Sequence, residues 1–360
     1  MPGVLQRLLT RSGILPVLRS RWREDLANAS EKLEKRIDKR FDALTRDLER
    51  LRTELAERAP AQGSDLGADA VERIASLDRD VRMLRDTLAL DIEDRLSNAN
   101  RAAAFEPSVV AGHVQAAIAN AVVETDPSVH IVIKELLPAN SYQALVDGIP
   151  RPVFFSQKDN TKQNLRLANI HVAPGRTIEM LTFLEETLIP QIMVPALMHK
   201  FAPHVRDFYV REYGHERGLA LAAIPHEATA GRLMLRRPGY HLDPHLDPKR
   251  VVVTCLLYFA RPGDSEGFGT TFYRMHGTPN IDRTNTFYPE SQGVRCELVK
   301  MVPFKPNSAV AFLNWGGAHG ADIPKDAPKN TERYSYQFYV SPNPAALAAI
   351  VGEPESAVAE

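Results

Sequence analysis

Residues 235–260 read LRRPGYHLDPHLDPKRVVVTCLLYFA. The stretch holds two His-x-Asp units, His241-Leu242-Asp243 and His245-Leu246-Asp247, directly ahead of a run with the composition of a buried β-strand, Val251 to Phe259. In extended backbone, residues two apart point to the same side, so either unit presents an imidazole nitrogen and a carboxylate oxygen to one ion. A metal site needs a further donor from elsewhere in the chain.

Around this stretch the texture after Gly231 is all-β. Strands are predicted at Arg232–Arg236, Val251–Phe259, Thr270–Met275, Glu297–Val302, Ala309–Asn314 and Tyr334–Val340, separated by Gly, Pro, Asp and Asn clusters. Upstream, Val109–Val123 reads as an Ala-rich helix, His130–Ile133 as a short strand and Ala139–Val146 as a helix. Residues Arg176 to Lys200 read as a helix bent or divided by Pro190 and Pro195. These helices are apolar on one side and are expected to cover a sheet.

The further donor is His319, just beyond a predicted strand in the Gly-rich turn Trp315-Gly316-Gly317-Ala318-His319-Gly320. Two His and one carboxylate leave three coordination positions open and suit non-haem Fe(II), whereas the zinc-enzyme spacing HExxH is absent. Downstream, Arg333-Tyr334-Ser335 places a guanidinium and a hydroxyl on one face of a strand, a pairing that could grip a carboxylate. The competing reading of Arg333 is a surface ion pair with Glu332 or Asp322. The remaining histidines fall outside any ligand spacing and read as surface or hydrogen-bonded residues, His276 being the one near the presumed pocket mouth.

In this order the residues resemble the Fe(II)- and 2-oxoglutarate-dependent dioxygenases, in particular the prolyl-hydroxylase-like branch. The matching features are Pro238-Gly239, His245-Leu246-Asp247, Thr254 to Tyr258, Gly267 to Tyr273, His319 and Arg333, over roughly residues 129–342. Aligning the motif on His245 and Asp247 leaves six residues before Thr254, the family's spacing; His241 and Asp243 would leave ten. The resemblance implies an α+β fold, a double-stranded β-helix (jelly-roll) with covering helices. It also implies Fe(II) held by His245, Asp247 and His319, and 2-oxoglutarate anchored by Arg333 with Ser335, with ascorbate as an accompanying reductant. The implied reaction hydroxylates an unactivated C–H, releasing succinate and CO2. Two rival readings stand beside it: a coiled-coil scaffold carrying an inactive dioxygenase-like domain, and a cupin-like metalloenzyme that does not use 2-oxoglutarate. The substrate, a protein side chain, amino acid, or sugar- or lipid-linked metabolite, is left open. The loop from Gly277 to Val294 is the expected place of substrate contact.

The remainder of the chain divides by composition. Residues 1–23 hold five Arg and no acidic residue, which admits a basic terminus, a targeting segment or a helix on a membrane surface. Residues 24–102 carry leucines at spacings of three and four among charged residues, with a break at 59–70, and read as a coiled coil that joins a second copy or a helical partner. The catalytic domain is expected over 105–342 and a mobile tail over 343–360. Apolar residues make up 44%, charged residues 25%, and the net charge is -1, with neither a basic cleft nor an aromatic ladder evident, so nucleic acid is disfavoured. Cys255 and Cys296 are expected to be reduced, as in a cytoplasmic protein, and no uncharged apolar run reaches the length of a membrane span.

Overall fold

A computed structural model describes residues 66–97, 101–156, 159–167, 173–277 and 285–351, and within 39–54 all but 40, 48 and 52. The chain divides into two compact units, Met1–Asn100 with His171–Thr177, and Arg101–Ile170 with Ile178–Glu360. In the first, Leu66–Ser97 is a single helix of 32 residues, and the described residues between 39 and 54 are helical. Leu77, Leu84 and Leu88 of the expected apolar stripe are exposed, as are Leu44 and Leu51. The expected break, up to residue 65, and the Arg-rich first 23 residues lie outside the described residues.

The second unit combines helices with two antiparallel sheets. Its strands are β1 (Val123–Glu124), β2 (His130–Ile133), β3 (Lys162–Leu165), β4 (His226–Arg236), β5 (His241–His245), β6 (Val253–Tyr258), β7 (Thr270–His276), β8 (Arg295–Val302), β9 (Ser308–Leu313), β10 (Gly317–Asp322) and β11 (Arg333–Pro342). One sheet runs β1-β2-β9-β6-β11-β4-β3 and the other β5-β10-β7-β8. β6 and β9 are central in the large sheet and buried at every residue, which explains why they read as unbroken apolar runs. β11 instead alternates, with Tyr334, Tyr336, Phe338 and Val340 on one face and Arg333, Ser335, Gln337 and Tyr339 on the other.

The aromatic face of β11 is covered by helices. Tyr336 donates to Glu185 at 2.8 Å, and Val194–Tyr213 packs against β4 and β9. The other face meets the small sheet. Met234, Leu256, Tyr258, Val310 and Phe312 of the large sheet and Phe272 and Val302 of the small one form one buried cluster with Phe304. Truncating a ring such as Phe272, which is fully buried, is worth roughly 3–5 kcal/mol.

The helical run around Pro190 changes type: Phe183–Met193 winds as a π-helix that takes in the proline, and Pro195 sits in the first turn of Val194–Tyr213. Gly175–Tyr213 is long and apolar enough by composition to cross a bilayer, with 56% of its apolar window buried inside the protein, as befits a core helix. β11 runs to Pro342 and Pro344–Val351 forms a helix, while the rest of the expected mobile tail, from residue 352, lies outside the described residues. Cys255 is buried and Cys296 half-buried, both unpaired.

Candidate metal centre

His319 lies within β10, not in a turn beyond a strand. β10 is inserted between β5 and β7, and its composition, GAHGAD, hides it because glycine and alanine have little strand preference. The glycines are needed for the insertion: a Cβ on Gly320 would lie 2.7 Å from the Leu242 carbonyl, and one on Gly317 2.8 Å from that of Tyr273. Pairing of β10 with β5 sets His319 directly opposite His245, with ring centroids 4.1 Å apart.

Asp247 follows β5 and is held by a buried amide. Asn314 accepts from the Asp247 N–H at 2.9 Å and donates to the carbonyls of Asp247, Pro248 and Val251 at 2.8, 2.9 and 3.1 Å. The Asp247 carboxylate accepts from Thr254 at 2.6 Å and from Tyr339 at 3.0 Å. Its oxygens lie 3.9 Å from His245 Nε2 and 3.6 Å from His319 Nε2. All three residues are buried, and their donor atoms lie within 4.8 Å of one another.

The protonation states suit coordination. His245 Nδ1–H donates to the Asp243 carbonyl at 2.9 Å, so Nε2 is the nitrogen on the side of Asp247, 3.9 Å away. Burial, reinforced by His245 and opposed by Asp247, pushes the His319 imidazole down to about 3, so it is neutral at ordinary pH. Burial pushes the Asp247 carboxyl up, but His319, His245 and the hydroxyls of Thr254 and Tyr339 outweigh it and hold it below the usual carboxylate range. Two imidazoles, that of His319 neutral, and one anionic carboxylate thus converge, the donor set of a facial iron site.

The first His-x-Asp unit is elsewhere. Both ring nitrogens of His241 are engaged, Nδ1 with Asp322 at 2.8 Å and Nε2 with Asp243 at 2.9 Å, and all three side chains are exposed. His276 pairs with Glu297 at 2.7 Å on the surface.

Arg333 faces the same cavity as His245, Asp247 and His319, a space of about 120 Å³. Its guanidinium packs between the rings of Tyr258 and Phe304, at 5.4 and 5.2 Å. Nε donates to the Phe268 carbonyl and Nη1 to Ser335 at 3.4 Å, while Nη2 is buried with no partner among the described residues. The surface ion pair is not formed, because Glu332 is taken by Arg237 at 2.9 Å and Arg261 at 3.6 Å. Ser335 is fully buried beside Arg333 and accepts from its Nη1 at 3.4 Å. An orphaned guanidinium N–H at the far side of a cavity from a metal donor set fits a dicarboxylate such as 2-oxoglutarate.

Several residues of the site went unnoticed in the sequence. Tyr339 had a signal: it continues the row Arg333, Ser335, Gln337 at every second position of an otherwise apolar strand. Asn314 had none, since its role depends on a loop 63 to 67 residues away. Thr286 and Tyr288, from the loop expected to meet substrate, do line the cavity, and residues 278–284 of that loop lie outside the described ones.

No protein-family model matches the sequence, and no curated protein does. Solved structures similar to this chain include HygX from Streptomyces hygroscopicus with nickel, 2-oxoglutarate and hygromycin B bound, at 12% identity over 61% of this chain and 84% of HygX, TM-score 0.32. A 2OG-Fe(II) oxygenase family oxidoreductase from Burkholderia pseudomallei matches at 11% identity over 59% of this chain and 84% of its own, TM-score 0.32. A prolyl-4-hydroxylase from Pseudomonas putida also stands among the solved structures that this chain resembles, at 15% identity over 64% of this chain and 97% of its own, with a TM-score of 0.35.

Proposed function

We propose that the second unit is an Fe(II)- and 2-oxoglutarate-dependent dioxygenase that hydroxylates a C–H bond of a small-molecule or peptide substrate. The observation that carries this reading is one cavity lined by two buried imidazoles, one buried carboxylate and a guanidinium whose Nη2 has no partner among the described residues. His245, Asp247 and His319 would hold the iron and Arg333 the distal carboxylate of 2-oxoglutarate. With both bound, O2 is consumed, 2-oxoglutarate leaves as succinate and CO2, and one oxygen atom enters the substrate C–H bond.

The chain's own contribution is orientation. Thr254 and Tyr339 fix the Asp247 carboxylate, the Asp243 carbonyl fixes the His245 tautomer, and the aromatic walls of Tyr258 and Phe304 keep water from the Arg333 contact. The two stacked antiparallel sheets support a double-stranded β-helix as the frame. Incubation with Fe(II), ascorbate and 2-oxoglutarate under air should yield succinate slowly even without substrate. Absence of both succinate and calorimetric 2-oxoglutarate binding would refute the reading, and activity that survives Arg333→Ala would favour a metalloenzyme that does not use 2-oxoglutarate.

A second reading concerns the first unit, where Leu77, Leu84 and Leu88 are exposed along one helix at steps of seven and four. We infer that this stripe joins a second copy of the chain. Sedimentation equilibrium should show a dimer or higher species that Leu77→Glu with Leu84→Glu converts to monomer.

A further inference from the structure

Besides Arg333, the cavity is lined by Lys162, Arg232 and Arg236, and Asp247 is the single carboxylate on its wall among the described residues. Lys162, Arg236 and Arg333 are direct cross-strand neighbours on β3, β4 and β11. Like charges so placed repel, and buried guanidiniums are costly without a counter-charge. None of the three arginines has a carboxylate partner among the described residues. Arg236 donates to the Gln163 and Leu235 carbonyls at 2.7 and 3.1 Å and to Asn164 Oδ1 at 3.0 Å, touches Met234 Sδ at 3.0 Å, and lies over the Tyr240 ring at 4.9 Å. Arg232 donates to Gln337 and, at 3.4 Å, to the Tyr339 hydroxyl, and its buried Nε has no partner among the described residues.

The proposed co-substrate would give a carboxylate to Arg333 alone, and with the metal it leaves the net balance of the cavity unchanged. Fe(II) and 2-oxoglutarate carry opposite and equal charges, so four cations against one carboxylate remain after both bind. Arg236 has both terminal nitrogens occupied and contributes field. Arg232 spends Nη2 on Gln337 and Tyr339 while its Nε has no partner among the described residues, and through Tyr339, which donates to Asp247 at 3.0 Å, it stands one side chain away from the metal donors.

We propose that the primary substrate carries an oxyanion group, a carboxylate or a phosphate ester, and that Arg232 receives it, fixing which C–H bond lies beside the metal donors. This deepens the dioxygenase reading and rests on it for the word substrate, but the anion site can be measured by itself. The fork of Arg matches both oxyanions bidentately.

The test is calorimetric titration of the full chain, loaded with Mn(II) and 2-oxoglutarate under nitrogen, with methyl phosphate, acetate and methanol in separate runs. Methyl phosphate or acetate should bind, the stronger of the two naming the source of the oxyanion, and methanol should not. Arg232→Gln should weaken that binding at least tenfold. No heat from either anion, or equal affinity in the variant, would overturn the proposal. Should Arg232→Gln fail to fold, Arg232→Lys serves, because it keeps the charge and loses the fork: a threefold or greater loss is expected, and an unchanged affinity overturns it. If 2-oxoglutarate itself does not bind the wild type, the dioxygenase reading fails, while Arg232-dependent anion binding still stands or falls in the same cell.

Discussion

The tripeptides His241-Leu242-Asp243 and His245-Leu246-Asp247 are identical, lie four residues apart and meet opposite fates. In the first, His and Asp find each other and Asp322 at the surface, and every imidazole nitrogen is spent on a hydrogen bond. In the second, His and Asp are buried beside a histidine from another strand; His245 spends only Nδ1, on the Asp243 carbonyl, and Asp247 accepts from the neutral hydroxyls of Thr254 and Tyr339 and, through its backbone, is held by Asn314. The lesson is that a ligand motif is made by what surrounds it. The His-x-Asp spacing supplies two donors, and burial with orienting partners keeps them from closing on each other as they do at the surface.

The contrast can be broken most severely at the imidazoles. His245→Ala should weaken Mn(II) binding more than about a hundredfold, beyond the loss typical of residues that only orient a ligand, whereas His241→Ala should stay within about threefold. A titration that finds equal losses would dissolve the distinction. Next in size, Arg333→Gln should cost 2-oxoglutarate roughly 2–5 kcal/mol of binding in the Mn(II)-loaded protein, at least about thirtyfold in Kd. An unaltered Kd would show that the orphaned N–H serves something else. Tyr339→Phe removes one of two hydroxyls on Asp247 and should weaken the metal about tenfold, a loss that Asp243→Asn should not reproduce.

The smallest effect sharpens the surface unit alone. Hydrogen bonds to Asp322 and Asp243 raise the His241 pKa above its ordinary value of about 6.5. The protonated form is therefore favoured by folding. Its stabilisation is present in full below the unfolded value and is lost as pH rises through the raised folded one. His241 is exposed, so the energy is small. An NMR titration should show its midpoint falling in Asp322→Asn, and a midpoint that does not move would remove the pairing from solution.

Much of the large sheet was legible because its strands carry their own signal. β2 was read to the residue, and β6, β9 and β11 within about two residues at each end, because buried apolar runs and alternating aromatic rows mark themselves. The small sheet was half hidden. β5, HLDPH, and β10, GAHGAD, have neither β-branched residues nor an apolar face, and they are strands because they pair with each other and with β7. Such segments are specified by tertiary contact, which a local window does not contain. The same limit applied to charge. With a net charge of -1 over the chain, the sequence showed no basic cleft, yet β3, β4 and β11 bring four cations to one cavity. His245, Asp247, His319 and Arg333 were readable because ordered spacing survives folding; Tyr339, Asn314, Arg232 and Arg236 act through partners on other strands.

His245 and His319 face each other across neighbouring strands although 74 positions, 319 minus 245, separate them in the chain. An ion held between them would act as a removable crosslink, closing a long loop whose entropic cost grows only slowly with its length. It would bind the folded state alone, so at a hundred times its Kd it would add about 2.7 kcal/mol to unfolding. The resistance of this domain to heat and proteolysis should then follow the metal supply, and a chelator should loosen the small sheet before it disturbs the large one.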